Sequence, residues 1–257
     1  MNTNSISKIN KLLQTHPPGI VLLSCWLAQK GYSLDLQKRY RKSNWLKSIG
    51  TGAMIRSGDD VGYDGAIYAL QEQLSYSIHP GGRTALSLLG KAHYLDLAAK
   101  KVILFGNPNE KLPTWFKNYD WGQDLHYHGS SFLPANFGLT TLDVKTFSIK
   151  ISSAERAIME CLYLAPEKQD LLECYELMEG LTTLRPKLVQ KLLEQCRSVK
   201  VKRLFLFMAE KAEHTWAKHL NQDIIDLGRG KRSIVKNGIY IPYYKITVPE
   251  KLIVNDY

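Results

Sequence analysis

The four cysteines of this 257-residue chain (Cys25, Cys161, Cys174 and Cys196) form no CxxC pair and no metal-ligand spacing. A disulfide scaffold and a cysteine zinc site are therefore excluded, and the thiols read as small core residues in a reducing compartment. Apolar runs are short: Ile20 to Leu23 and Val102 to Phe105 are four residues each, far below the ~20 needed to span a bilayer. The start, MNTNSIS, offers neither a basic nor an apolar leader region. No segment repeats and no tract is of low complexity. The remaining composition, 44% hydrophobic and 23% charged, is that of an ordinary folded chain. Together these features predict a soluble cytoplasmic protein of one or two domains.

Positive charge is in surplus. Lys+Arg number 34 against 24 Asp+Glu, a formal net of +10. The surplus is concentrated. Lys30 to Arg56 holds Lys30, Lys38, Arg39, Arg41, Lys42, Lys47 and Arg56 against Asp35 alone. Arg185 to Arg203 holds Arg185, Lys187, Lys191, Arg197, Lys200, Lys202 and Arg203 against Glu194. Arg229, Lys231, Arg232 and Lys236 follow with no acid between them. These windows carry +16 and leave the rest of the chain at −6, the distribution expected of a polyanion binder.

Periodicity predicts helices in the N-terminal third. Ile6, Ile9 and Leu13 lie at helical spacing behind Ser5, and Leu22, Leu23, Trp26 and Leu27 form the apolar side of a second helix ending at Lys30-Gly31. Ser33 caps a third that runs to about Asn44. WLKSIGTGAMIR reads as two strands around Gly50-Thr51-Gly52. Ile67, Leu70 and Leu74 mark another helix, and His79-Pro80-Gly81-Gly82 introduces one through Leu89. Beyond residue 95 strands are expected at Lys101–Phe105, 124–132 and 139–151. Helices are expected at 153–164, 169–178, 186–196 and 202–219, the first opened by a Ser152/Glu155 capping box. A tail with strands near Ile239–Ile241 and Tyr244–Ile246 completes the chain. The fold class is α+β: an N-terminal winged helix-turn-helix domain (residues 1–95) followed by a larger mixed C-terminal domain (96–257).

The first basic window has the order helix, Gly31-Tyr32-Ser33 turn, basic helix and two-stranded wing, which is the order that places a recognition helix in a major groove. On a helical wheel Leu36, Tyr40 and Ser43 face the core and Lys38, Arg41 and Lys42 face away, with Gln37 on the shoulder. Lys and Arg can donate to guanine and Gln can pair with adenine. Arg39 is better placed for phosphate, and Lys47 and Arg56 for the flanking backbone. The bland alternative is a solvated helix face.

Other constellations are weaker. HPGGR could present helix amides to a phosphate beside Arg83, or be a packing turn. His126 and His128 share a strand face but lack further ligands apart from Asp124, so structural histidines are the default. His214 and His219 are five residues apart and do not form a helical ligand pair. Asp143-Val144-Lys145, with Asp124 upstream, is the sparse pattern of a metal-dependent nuclease. No cofactor is expected, and no catalytic or metal residue is assigned.

YSLDLQKRYRKSNWLKSIGTGAMIRSGDDVGYDGAIYALQEQL, followed by SIHPGGRTALSLLGKAHYL, resembles the N-terminal region of the AbiEi antitoxins of type IV toxin–antitoxin systems. The likeness covers residues 5 to 95, and its most specific blocks are WLKSIGTGAM and HPGGRTALSLLGKAHYL. Past residue 100 it thins to general pattern, including SSAERAIMECL. The resemblance implies a winged helix that binds inverted repeats in double-stranded promoter DNA and represses its own operon. It also implies a C-terminal domain that neutralises a nucleotidyltransferase-like toxin without requiring a stable complex, and no enzymatic activity. Position by position, the recognition helix is Ser33 to Asn44 and the wing turn Gly50 to Gly52. Asn44 stands where relatives often have Gly, and Thr51 where they often have Arg or Lys. The second and third basic windows, Arg185, Lys187, Lys191, Arg197, Lys200, Lys202, Arg203, Arg229, Lys231 and Arg232, become candidates for the antitoxin role. Two other readings are a DNA-targeted nuclease and a winged-helix regulator without a toxin partner.

Overall fold

The computed structural model describes residues 7–91 and 101–253. Ser5, Ile6 and the 95/96 boundary fall outside the described residues. Helix α1 (Lys8–Thr15) begins at Ser7, whose hydroxyl accepts from the Asn10 amide at 3.3 Å. Leu22–Leu23, expected to be helical, form strand β1. Helix α2 (Ser24–Gln29), helix α3 (Leu34–Lys42), strand β2 (Leu46–Gly50) and strand β3 (Ala53–Arg56) follow. The sheet order β1-β3-β2 is antiparallel, with Leu22 opposite Met54 and Ser48 opposite Met54 on the other side. Two residues suffice for β1 because it only extends a hairpin already paired.

Strand β3 shows why AMIR does not alternate in hydrophobicity. Side chains of a strand point to opposite faces in turn, and here each face meets a different core. Met54 packs with Leu12, Ile20, Leu22, Leu27, Tyr40 and Leu46. Ala53 and Ile55 join a second core containing Ile67, Leu70, Trp115, Phe116 and Ile151. The wing is thus a partition between two packed regions.

Helix α4 (Tyr63–Tyr68) widens into a π-helical turn, Ala69–Gln73, where an uninterrupted α-helix was expected. The wider turn aims two glutamines at strand backbones. Gln73 accepts from Leu23 N (2.8 Å) and donates to Val21 O (2.7 Å), covering the open edge of β1. Gln71 accepts from Lys150 N and donates to Lys150 O, both at 2.9 Å. Each side-chain amide stands in for a peptide group of a missing neighbour strand.

His79–Pro80 form strand β4, and helix α5 (Gly82–Leu88) follows. Strand β4 pairs antiparallel with β5 (Lys101–Gly106), which pairs in parallel with β6 (Asp124–Gly129). Helix α6 (Thr114–Asn118) lies between them in sequence. The expected strand at 139–151 is a hairpin, β7 (Leu139–Val144) and β8 (Phe147–Ser152), turned at Lys145 with φ 42°. The second core mixes residues from before and after residue 95. The two halves of the chain therefore share packing across the expected boundary.

Helix α7 (Ala154–Leu164) is buried almost along its whole length, within the largest core formed with α5, α8 (Leu171–Glu179), α9 (Pro186–Gln195) and α10 (Val199–Lys211). Its N-cap is Ser153, and the residues of the expected capping box serve elsewhere. The Ser152 hydroxyl donates to Glu160 and Glu155 accepts from Arg185. The long final helix is broken after α10, and Thr215–His219 form a separate 3₁₀ turn. A last sheet of order β10-β11-β9 comprises β9 (Arg232–Ser233), β10 (Ile239–Ile241) and β11 (Ile246–Val248).

Candidate nucleic-acid interface

Gly31, with φ +87°, turns the chain between α2 and α3, and the Ser33 hydroxyl accepts from Leu36 N at 3.4 Å to start α3. The buried stripe of α3 is Gln37 and Tyr40 with Leu36 half-buried; Ser43, expected inside, is exposed. Gln37 is 2% exposed. Its Oε1 accepts from Ser24 Oγ (2.6 Å), and its Nε2 donates to Ser24 O (3.1 Å) and Tyr32 O (2.7 Å). The base-reading role expected of Gln37 is corrected, because its amide is consumed in locking α2 to the turn. An apolar residue there would leave those partners unmet.

Lys38, Arg39, Arg41 and Lys42 are all exposed, and none has an ion pair or side-chain hydrogen bond among the described residues. Leu34, 67% exposed at the first turn of α3, extends the same outward surface. It is the kind of apolar group that touches a thymine methyl. Sequence periodicity passed over it, although its position off the core stripe was legible. Asn44 takes φ 55° where relatives of the resembled family often have Gly, ending α3 and accepting from Ser57 Oγ at 3.2 Å.

The wing tip, Thr51-Gly52, is exposed, as is Lys47. Arg56 is not available for a nucleic acid backbone. It turns inward and donates to the carbonyls of Leu13 (2.9 Å) and His16 at the end of α1, a cation placed at a helix C-terminus. Behind the wing, a Cβ added at Gly50 would lie 2.7 Å from Trp115 Cβ, so α6 braces β2 directly.

The α5 amide of Gly82, proposed from sequence as a phosphate donor, donates to Glu160 Oε2 at 2.8 Å. Glu160 Oε2 also accepts from Ser152 Oγ (2.7 Å), and Oε1 accepts from Arg156 Nε (2.7 Å) and faces His79 Nε2 at 3.4 Å. A Cβ at Gly81 would sit 2.4 Å from that carboxylate, and Gly82 has φ +52°. The two glycines thus admit an internal carboxylate, so HPGGR is the packing turn of the two readings the sequence offered. Arg83 is paired with Glu173 at 2.9 Å. Burial by itself pushes Glu160 up, but the charge of Arg156 and the contact with His79 outweigh it and hold the carboxyl at about 2.

The candidate metal and nuclease residues are not assembled into a site. Asp124 accepts from His126 at 2.6 Å, and Asp143 accepts from Ser148 at 2.7 Å. Lys145 lies in the hairpin turn instead of on the strand with Asp143. Among the described residues no group of three or more His, Cys, Asp or Glu could hold a metal ion. His128 is depressed to about 4 by burial first, then by the charge of Lys168. His214 is buried and bonded to Met178 O at 2.7 Å.

Of the ten candidates in the later basic windows, four are structural. Lys200 donates to the Tyr163 and Ala165 carbonyls at the end of α7. Lys202 and Arg203 are buried; Lys202 donates to Asp226 O at 2.7 Å. The Arg203 guanidinium gathers the carbonyls of Leu227 (2.8 Å), Gly228 (3.1 Å), Gly230 (2.8 Å) and Lys245 (3.1 Å). Their expected surface role is corrected, since lysine and arginine stems here lie inside α10's packed face. Arg185 clasps the buried Glu155 at 2.9 Å, and Glu155 is held at about 2 because this hydrogen bonding outweighs burial. Lys187, Lys191, Arg197, Arg229, Lys231 and Arg232 remain exposed. Arg185, Lys187, Lys191 and His219 line an open groove of about 1050 Å³ floored by Phe137 and Leu188.

Residues 5–97 match a family model described as "Transcriptional regulator, AbiEi antitoxin N-terminal domain", and residues 99–249 match one described as "Transcriptional regulator, AbiEi antitoxin, Type IV TA system". The chain belongs to the AbiEi antitoxin family. As an AbiEi protein it is a transcriptional regulator of a type IV toxin–antitoxin system. No curated protein matches it at significance. Its fold is similar to that of the RV2827C protein from Mycobacterium tuberculosis, a crystal structure with TM-score 0.59 and 12% sequence identity. That likeness covers 95% of this chain and 90% of the mycobacterial one. Among the described residues no helix is long and apolar enough to cross a membrane.

Proposed function

We propose that this AbiEi protein is a cytoplasmic autorepressor that binds inverted repeats in double-stranded DNA of its own promoter and neutralises a nucleotidyltransferase-like toxin. The supporting observation is the unpartnered cationic face of α3. Lys38, Arg41 and Lys42 stand in solvent on a helix whose other side is clamped by Gln37 and Tyr40. Lys38, Arg41 and Lys42 read base edges, Leu34 meets thymine methyls, and Arg39 and Lys47 neutralise phosphates. Gln37 and Arg56 serve by fixing the helix-turn-helix and the base of the wing.

DNA reading belongs to residues 1–95 and antitoxicity to 96–257, a division of labour laid over shared packing. The groove beside α9 is the toxin-facing feature of the second half. Exposed Lys187 and Lys191 suit an acidic partner surface, and Phe137 and Leu188 give it apolar contact. Transient encounter is sufficient for this role. Neither part of the proposal calls for a cofactor or a catalytic group.

The test is a mobility-shift titration of the promoter with the Lys38→Ala/Arg41→Ala/Lys42→Ala variant. Binding should fall at least about a hundredfold while thermal stability is retained, since each base or phosphate contact contributes on the order of 1–3 kcal/mol. Unchanged affinity sinks the assignment. Wild-type affinity should also drop steeply with salt as counterions are released.

A further inference from the structure

We propose that the C-terminal sheet is a stacking platform for single-stranded nucleic acid, separate from the duplex-reading helix α3. Between Asp226 and Glu250 the chain has no carboxylate side chain and carries Arg229, Lys231, Arg232, Lys236 and Lys245. All five are exposed, and none makes an ion pair or a side-chain hydrogen bond among the described residues. Two tyrosines stand among them. Tyr240, 36% exposed, lies on β10, and Tyr243, 71% exposed, lies in the turn between β10 and β11.

The platform is built, not incidental. Tyr240 lies opposite Thr247, and Thr247 opposite Ser233, so strand alternation places these three side chains on one face. Lys231 Nζ lies over the Tyr240 ring, 4.9 Å from its centroid. The Tyr243 ring meets the edge of Tyr244 at 4.9 Å, and Tyr244 is anchored through its hydroxyl to Glu210. From beneath, Arg203 ties the loop at Leu227, Gly228 and Gly230 to the turn at Lys245. The hydrogen-bond partners of that buried cation are all carbonyls, and the acids at the margin, Asp226 and Glu210, are engaged by Gly228 N and the Tyr244 hydroxyl.

Exposed rings flanked by cations match the needs of an unpaired strand. Phosphates meet the lysines and arginines, while bases lay their faces on the tyrosines, as on other aromatic-bearing sheets. A duplex keeps its base faces stacked and could use only the cations. An acidic protein surface could also use the cations, but the broadly exposed Tyr243 ring and the lysine-capped Tyr240 ring beside them favour the strand.

The experiment measures fluorescence anisotropy of a 12-nucleotide oligo-dT, an oligo-U of ~12 residues and a non-operator duplex of ~12 base pairs with full-length protein. Its parent carries Lys38→Ala/Arg41→Ala/Lys42→Ala, so that α3 does not contribute, and wild-type promoter binding is followed in parallel. Single strands should bind more tightly than duplex. Tyr243→Ala should weaken them by about tenfold, Tyr243→Trp should not, and promoter binding by the otherwise wild-type chain should be unaffected. Tyr240→Leu, which keeps a strand-compatible side chain, gives a second reading with melting temperature as the control. Duplex binding as tight as single strands, or tyrosine replacement without effect, overturns the proposal and leaves an electrostatic or protein-facing surface. Absence of single-strand binding overturns it equally.

Discussion

Gln37 and Ser24 hold each other from both ends of the side-chain amide: the Ser24 hydroxyl donates to Oε1 at 2.6 Å and Nε2 donates back to the Ser24 carbonyl at 3.1 Å. The first residue of α2 is thus tied to the second turn of α3, with Tyr32 O as third partner at 2.7 Å. Gln37→Ala should lower stability by about 1–3 kcal/mol because buried polar groups lose their partners, and promoter affinity should fall for all operator sequences together. Urea denaturation checks the first outcome, and a base-substituted operator panel the second. Loss of preference at a single base pair would return Gln37 to a reading role.

The contact of Gly50 with Trp115 gives the wing its position. Gly50→Ala would drive a methyl into a backbone-proximal carbon 2.7 Å away. The wing must shift, and we expect destabilisation on the order of 2 kcal/mol with weakened promoter binding. The added cost of Gly50→Ala should be smaller in a Trp115→Gly background, which removes the Cβ the methyl meets, than in a Trp115→Ala background, which keeps it, a coupling measurable as a double-mutant cycle.

Acid should weaken the fold in two stages. His128 has a folded value depressed to about 4. The unfolded chain therefore binds more protons below its ordinary value, and stability declines as pH falls from about 6.5. Glu160 and Glu155, both held near 2, contribute stability that is present above the ordinary carboxylate range and lost as pH falls through about 2. Thermal melts from pH 7 to pH 2 should trace both declines. Glu160→Gln should be less stable at neutral pH and show a shallower slope below pH 4.5, and an unchanged slope would contradict the depressed carboxylate.

Arg203 organises the loop that carries the third basic window. Its replacement by Met should cost on the order of 3 kcal/mol, as four carbonyls lose their donor. Arg203→Lys should recover only part, because one ammonium cannot reproduce the planar fork. Hydrogen exchange over residues 227–231 and 244–246 should accelerate in both variants while α3 is unchanged.

The sequence by itself determined what depends on neighbours in the chain. The Gly31 turn, the Ser33 cap, the wing at 50–52 and the left-handed Asn44 follow from local backbone chemistry, and the exposed cations of α3 follow from helical period. Tertiary structure decided where polar side chains go once helices and strands meet. A wheel cannot show that Gln37 will find Ser24, nor that Arg56 will cap α1. It does not show that Lys202 and Arg203 will be buried under a loop some 25 residues away. HPGGR carries the same lesson. Its glycines left a phosphate-binding loop and a packing turn both open, and only folding brought Glu160, 78 residues along the chain, against the backbone there. Charge counted along the sequence measures supply. Which charges face solvent is set by the desolvation and hydrogen bonding of the packed chain, and among the described residues it leaves clustered cations free on the outward face of α3, on the tyrosine-bearing sheet and its turns, and beside the α9 groove.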